Sequence, residues 1–218
     1  MPAKQDRSRR TRAALLDALD ALLHDRSFED IGVAEIAARA GVSAASIYRR
    51  FSKKEGLLAA LYELQLKRVA EWNEQDWVKR RLAETPAGDA PLRAVLTCHV
   101  ELAVRQLRDL SHLARPMAIY ARMKPDLFGD EVDPLLSEAR AGVLALLKVY
   151  PETVRRTNLD QASRMLVYLM QSSLNDFVLF DDRTMRPLAG MSDQTFARQI
   201  ADFAFGYLTT SDGPDLSA

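Results

Sequence analysis

Eight consecutive residues, Ser43-Ala44-Ala45-Ser46-Ile47-Tyr48-Arg49-Arg50, gather two hydroxyls, a phenol, two guanidinium groups and two bare methyls within little more than two helical turns. Guanidinium and hydroxyl groups donate to phosphate oxygens or base edges, and small side chains let a helix come close to a groove floor. The stretch therefore offers chemistry for a polyanion. With Ile47 and Phe51, four apart, turned to a core, a rotation of 100° per residue aims Arg49 directly away and Ala45 nearly so. Ser46 lies somewhat nearer the core side, and Tyr48 and Arg50 fall on the flanks. Ser43 and the first amides of the helix add a dipole-assisted phosphate site. The pattern also suits an ordinary helical hairpin whose charged face is only solvated.

Catalysis is not expected. His24, His99 and His112 are dispersed along the chain, and His99 and Glu101, two apart on a helix, point in different directions. The sequence shows no HExxH, no Cys and His pair at zinc spacing, no glycine-rich phosphate loop and no GxSxG. No catalytic residue, metal site or cofactor is assigned, and an all-α enzyme stays a remote alternative. The single cysteine, Cys98, excludes an intramolecular disulfide and sets a reducing, cytoplasmic home as the expectation. As a redox switch it is a weak idea, because a lone cysteine on an apolar helix is usually just buried. The longest apolar runs, such as 165–170, fall far short of the roughly 18 residues of a membrane span. The basic amino terminus lacks the apolar stretch of a secretory signal.

The elements that must position the eight residues are helical. Spacings of three and four recur while strand alternation is scarce, so the chain reads as all-α with about nine helices. Its 218 residues, 48% apolar and 28% charged, suffice for one large or two modest cores. Leu15, Leu16, Leu19, Leu22 and Leu23 stripe a first helix over about 10–24. Val33, Ile36, Ala37 and Ala40 make a short second helix, capped by Gly32 and ended by Gly41. Ser43 caps the third, and Ser52 offers the cap of a long fourth helix running to about Trp77. Further helices are expected at roughly 91–109, 112–123, 131–149, 159–181 and 192–209, with a kink at Pro116. The charge is uneven. Thirty basic and thirty acidic residues cancel overall, but residues 1–54 hold eleven basic and seven acidic side chains, +4, which leaves −4 on the remainder.

Residues 33–51 form a helix, a glycine turn and a second helix. The run FEDIGVAEIAARAGVSAASIYRRFSKKEGLLAALYE resembles the DNA-binding segment of the TetR family of bacterial transcriptional regulators. The matching features are Ile36-Ala37, Ala40-Gly41-Val42-Ser43, Ile47-Tyr48, Phe51 and the Lys54-Glu55-x-Leu57 start of the fourth helix. They cover about the first 60 residues. Gly32 departs from a common Thr cap and Ala44-Ala45 from a common Lys-Gly pair. The resemblance implies an all-α chain with a three-helix DNA-binding domain over 1–54 and a helical ligand-binding and dimerisation domain over 55–210. The tail, 211–218, is expected to be frayed. It implies that Ser43, Ser46, Tyr48 and Arg49 face the operator, with Lys54 on a phosphate; contacts of a Lys-Gly pair do not carry over to Ala44 and Ala45, which join the DNA face with Arg50 on the residues' own reading. Arg7, Arg9, Arg10 and Arg12 form either a basic arm to neighbouring phosphates or a solvated tail.

One helix-turn-helix reads only a few base pairs, so a symmetric dimer on a palindromic operator is expected. The last two helices are the candidate interface: Met170, Leu174 and Phe177 on one, Phe196, Ile200, Phe203 and Tyr207 on the other. These stripes could equally be buried inside one subunit; the family's four-helix dimer bundle favours the interface. Trp72, Trp77, His99, His112, Met117, Tyr120, Met123, Tyr168 and Asn175 could line a cavity between the middle helices or be plain core. The expected partners are operator DNA, a second copy of the chain and a small hydrophobic effector, with no membrane. The implied function is a repressor released by that effector, the alternative being a DNA-binding regulator answering to a protein partner.

Overall fold

The computed structural model describes residues 2–88, 90–127, 134–180 and 190–212, with side chains given from residue 8 onward. Among the described residues ten α-helices and no named strand occur. The first unit takes residues 1–70 and 109–131, and the second takes 71–108 and 132–218. No helix among the described residues is long and apolar enough to cross a membrane.

In the first unit, α1 (Pro2–Leu23), α2 (Val33–Arg39), α3 (Ala44–Phe51), α4 (Leu57–Asn73) and α7 (Ser111–Met123) share one core. Leu15 and Leu19 of α1, Ile36 of α2, Ile47 of α3, and Leu57, Leu58 and Leu61 of α4 are all wholly buried. Each such side chain contributes about 1.5–3 kcal/mol through removal from water, so this interior fixes the short helices α2 and α3 against α1 and α4. Phe28 and Ile31, in the α1–α2 connection, plug the same core. Leu113 and Met117 of α7 join it.

The turn between α2 and α3 is a full Schellman closure. Gly41 adopts φ +66°, its amide donates to the Ala38 carbonyl at 3.2 Å, and the Val42 amide donates to the Ala37 carbonyl at 2.9 Å. Glycine is needed there because other L-residues rarely take that conformation. Gly32 and Ser43 stand at the N-caps of α2 and α3 as expected, but neither makes a side-chain cap bond. Ser43 Oγ instead shares a hydrogen bond of 2.9 Å with Ser46 Oγ.

Ser52 is not a helix N-cap. It ends α3 at φ 58°, and a 3₁₀ turn, Lys54–Gly56, precedes α4. A Cβ on Gly56 would collide with the Phe51 carbonyl oxygen, so glycine is what lets α3 and α4 meet this closely. The fourth helix also stops earlier than its pattern suggests. It ends at Asn73, and a separate α5 (Asp76–Ala83) follows, supplying the tenth helix. Trp72 and Trp77 meet edge to face across the break at 5.0 Å, and Trp77 Nε1 donates to Gln75 Oε1 at 2.6 Å. At the other end of the unit, α1 starts at residue 2, so the arginines read as an arm or a tail are helical.

The second unit contains α5, α6 (Leu92–Asp109, the last residue aside), α8 (Pro134–Val149), α9 (Leu159–Leu174) and α10 (Asp193–Thr209). Its core joins Leu92, Val95 and Leu96 of α6, Leu147 of α8, Ala162 and Leu166 of α9, and Ala201, Ala204 and Leu208 of α10. Tyr150 ties the α5–α6 loop down, donating to the Ala90 carbonyl at 2.7 Å and accepting from the Gly88 amide at 2.9 Å. A π-helical turn, Asn175–Leu179, replaces the expected continuation of α9. Ser192 does cap α10, its hydroxyl accepting from the Thr195 amide at 3.2 Å. Arg108 adds a two-pronged ion pair to Asp193 in the first turn of α10, at 2.5 and 2.6 Å. Pro116 lies inside α7. The expected tail falls largely outside the described residues, as do the start of the helix expected over 131–149 and most of the segment before α10.

Candidate nucleic-acid interface

The face of α3 opposite Ile47 is built as its spacing requires. Ile47 is 0% exposed while Tyr48 is 52% exposed, and Ala45, Arg49 and Arg50 are exposed beside it. Ser43 is exposed at the start of the helix and Ser46 is half-buried. The side chains are already linked: Arg49 Nη2 lies 3.3 Å from Ser46 Oγ, which in turn contacts Ser43 Oγ. Arg50 Nη2 donates to Ser8 Oγ of α1 at 2.8 Å, which holds that guanidinium toward the α1 side of the helix. The α3 amino terminus, two hydroxyls, a phenol and two guanidinium groups thus form one donor-rich surface.

Two of the residues expected at the DNA interface, Ala44 and Lys54, sit elsewhere. Ala44 is half-buried and packs against the core, so it supports the face instead of belonging to its outer surface. Lys54 turns inward: its ammonium donates to the Phe28 carbonyl, donates to the Glu29 carbonyl at 3.0 Å, and lies 4.6 Å from the centre of the Phe28 ring. Burial pushes its pKa below the ordinary lysine value, although Glu29 and Glu55 pull the other way. Its neighbour Lys53 is exposed at the same corner. The amino-terminal arginines divide similarly. Arg9 and Arg10 are exposed on α1, whereas Arg12 pairs with Glu63 of α4 at 2.7 Å; the Arg7 side chain lies outside the described residues.

Helices α1, α2 and α3 around a glycine-closed turn, with α3 presenting donors outward, make a helix-turn-helix, the arrangement that lays its second helix in a DNA groove. A family model described as "Bacterial regulatory proteins, tetR family" matches residues 15–61, the segment that carries this head. No curated protein sequence matches the chain. Among solved structures, the fatty acid degradation regulator FadR of Bacillus halodurans is similar at TM-score 0.57 and 16% identity, over 91% of this chain and 96% of that one. A transcriptional regulator of Cytophaga hutchinsonii is similar at TM-score 0.57 and 18% identity, over 90% and 97%. The TetR-family repressor FadR of Thermus thermophilus, crystallised with lauroyl-CoA, is similar at TM-score 0.55 and 18% identity, over 95% and 100%. At these identities the likeness is one of fold.

The residues expected around an effector are distributed over both units. Met117 is buried in the core of the first unit, and Tyr120, packed against it, meets Phe28 edge to face at 5.6 Å. In the second unit Trp72 is buried, Asn175 is half-buried, and His99 Nδ1 lies 2.8 Å from the Val95 carbonyl. Tyr168 is 68% exposed on α9, and Met123 of the first unit is also exposed, so both are surface residues of their units. A cavity of about 350 Å³ in the second unit is lined instead by Trp77, Arg80, Arg81, Glu101 and Arg105. There the Arg105 guanidinium lies 3.9 Å from the centre of the Trp77 ring, and Arg81 pairs with Glu101 at 3.0 Å. Trp77 was within reach of sequence reasoning. Arg80 and Arg81 were not, because they belong to α5, a stretch the pattern left as connection, whereas Arg105 lies on α6, which the pattern did place.

The residues proposed for dimerisation also divide. Leu174 and Phe196 are buried within the chain, and Phe177 stacks on Phe196 with ring centres 3.8 Å apart. Met170 and Ile200 are half-buried, as is Tyr207, whose ring lies 4.0 Å from the Arg156 guanidinium. Phe203 stands 77% exposed on α10, and Met165, Tyr168 and Leu169 form an exposed stripe at i, i+3 and i+4 on α9. Cys98 is buried and its thiol pKa is raised by desolvation, which makes it a poor nucleophile or redox sensor.

The histidines that look dispersed in sequence are not all dispersed in space. His24 and His112 stack with ring centres 3.7 Å apart, beside Asp20. The signal available in the sequence was the four-residue spacing of Asp20 and His24 along one helix face.

Proposed function

We propose that the chain is a ligand-responsive transcriptional repressor that binds a palindromic operator as a homodimer and leaves it when a small hydrophobic effector binds. The observation that carries this reading is the outward face of α3, where Ser46, Tyr48, Arg49 and Arg50 surround a helix anchored by fully buried Ile47. Arg49, aimed farthest from the core, reads base edges. Ser43, Ser46, Arg50 and Tyr48 hold phosphates on either side, and exposed Lys53 takes the phosphate role that inward-turned Lys54 leaves open. A dimer places two such helices about one turn of DNA apart or a multiple of it. The exposed apolar side chains Met165, Tyr168 and Leu169 of α9 and Phe203 of α10 supply the surface through which two copies associate.

The effector site is the cavity beside Trp77. Trp77 and Leu102 line it beside the cations Arg80 and Arg105 and the Arg81–Glu101 pair, and this mixed lining suits an amphipathic ligand with an anionic end, such as a fatty acyl thioester of coenzyme A. The ligand acts as an inducer by preferring the DNA-incompetent arrangement of the dimer. The test is an electrophoretic shift of palindromes from the DNA upstream of the chain's own gene, repeated with lauroyl-CoA as probe. Salt-sensitive, sequence-dependent binding that lauroyl-CoA weakens is expected. Binding to no palindrome would overturn the regulator reading, and binding indifferent to lauroyl-CoA would overturn the effector assignment.

A further inference from the structure

The geometry points to a binding site for a divalent transition-metal ion of the zinc class, formed by Asp20, His24 and His112, that clamps α7 to the carboxy-terminal end of α1. Asp20 lies in the last full turn of α1, His24 follows it by four residues, and His112 is the second residue of α7. One ligand atom from each lies within 4.8 Å of the others. His112 Nε2 and Asp20 Oδ1 are 2.9 Å apart and form the near pair of the set. An ion about 2.0–2.1 Å from nitrogen and oxygen donors can bridge them with a few tenths of an ångström of opening, since tetrahedral neighbours at those bond lengths are about 3.3 Å apart. The third donor, His24, is exposed and can swing by a rotamer adjustment to complete the set.

The donor chemistry selects the ion. Two imidazole nitrogens and one carboxylate oxygen suit Zn²⁺ and its borderline neighbours, and do not suit Mg²⁺ or Ca²⁺, which take oxygen ligands. Three protein ligands leave a fourth position for water at the exposed His24 side. The supports behind the ligands are present too. Arg68 Nη2 donates to the other carboxylate oxygen, Asp20 Oδ2, at 3.0 Å, which fixes the carboxylate plane and leaves Oδ1 for the ion.

An ion-pair network without metal accounts for Asp20, Arg68 and His112, since His112 and Arg68 both bind the carboxylate. It does not account for His24. Among the described residues the one contact recorded for His24 is its stacking on His112, which brings a second imidazole to the same carboxylate. A shared ion is what both rings could bind at once.

The experiment titrates Zn²⁺ into the chelator-stripped full-length protein in competition with a chromophoric chelator, alongside His24→Ala. This variant removes an exposed ligand and leaves the Asp20, His112 and Arg68 contacts in place, so its metal-free melting curve should match that of the parent. One ion per chain is expected. Affinity should fall at least about 100-fold in His24→Ala, beyond the 10–100-fold typical of an outer supporting group. Zn²⁺ should raise the melting temperature of the parent and leave the variant unmoved. Co²⁺ in the parent should give a spectrum without thiolate charge transfer, which separates this site from Cys98. The proposal is overturned by absent binding, by equal affinity in His24→Ala, or by a thiolate band.

Discussion

Replacing Phe203 with serine tests the association surface at its most exposed apolar point. Burying a phenylalanine side chain is worth about 1.5–3 kcal/mol. Phe203 is 77% exposed in the single chain, so roughly three quarters of that, about 1–2 kcal/mol, is available to a partner. A twofold interface contains the residue twice, which makes the loss about 2–4.5 kcal/mol per dimer, or a dimer dissociation constant raised about 30- to 2,000-fold. The fold of the single chain should be spared, because Phe203 has little surface buried in it. Sedimentation velocity across a concentration series reads the constant directly, with circular dichroism as the control for helicity. Helix α10 does not contribute Phe203 to the interface if the constant moves by less than about threefold while helicity is unchanged. In that event the exposed stripe of Met165, Tyr168 and Leu169 on α9 becomes the surface to truncate next.

Arg49→Ala should weaken operator binding by about 1–3 kcal/mol and relax preference at one base position in each half-site, measured by fluorescence anisotropy against single-base operator variants. A uniform loss across those variants, with a salt slope reduced by about one, would assign Arg49 to a phosphate instead. Gly56→Ala should destabilise the head by about 1–3 kcal/mol, because the new methyl meets the Phe51 carbonyl and the α3–α4 turn must open. An unchanged melting temperature would refute the close approach. The Asp20 carboxyl is held below its ordinary pKa by the hydrogen bond from His112 and, against the opposing effect of burial, by Arg68. A carboxyl depressed in the folded state adds stability in full above its unfolded pKa of about 3.9, and that stability is lost as pH falls through the lower folded value. Asp20→Asn should therefore flatten the acid limb of denaturation below about pH 4 in urea titrations, and an identical acid limb would refute the pairing.

What could be read from the sequence follows from the range of the forces involved. The exposure of Arg49 opposite Ile47 depends on rotation along one helix, the Schellman turn on the φ that Gly41 alone tolerates, and the α10 cap on a serine and an amide three residues apart. These are local, and the residues announce them. The break after Asn73 has no glycine or proline to mark it, since Asn73-Glu74-Gln75-Asp76 carries only modest penalties in a helix. Trp72 packing edge to face on Trp77 accompanies it, a tertiary preference that overrides propensity. Lys54 was misplaced for a similar reason. Its charge favours the surface, but two carbonyls and the Phe28 ring draw it inward.

The zero total charge hides a division of labour that side-chain geometry sharpens beyond the count of +4 on residues 1–54. Several of the eleven cations in that segment are committed internally: Arg12 to Glu63, Arg26 to Glu35 and Lys54 to backbone carbonyls. Arg9, Arg10, Arg49 and Lys53 are exposed on the same unit, with Arg50 tied only to the Ser8 hydroxyl. If the counted charge set affinity, binding should respond alike to the loss of Arg26 and of Arg49. The structure argues otherwise, because removing Arg26 frees Glu35 as it deletes a cation, whereas removing Arg49 takes a guanidinium from the outward face of α3. Arg26→Ala should lower head stability, with a salt slope of DNA binding that stays near the parent's. A matching loss of slope in both variants would show that the segment acts as a diffuse basic surface and that α3 has no privileged face.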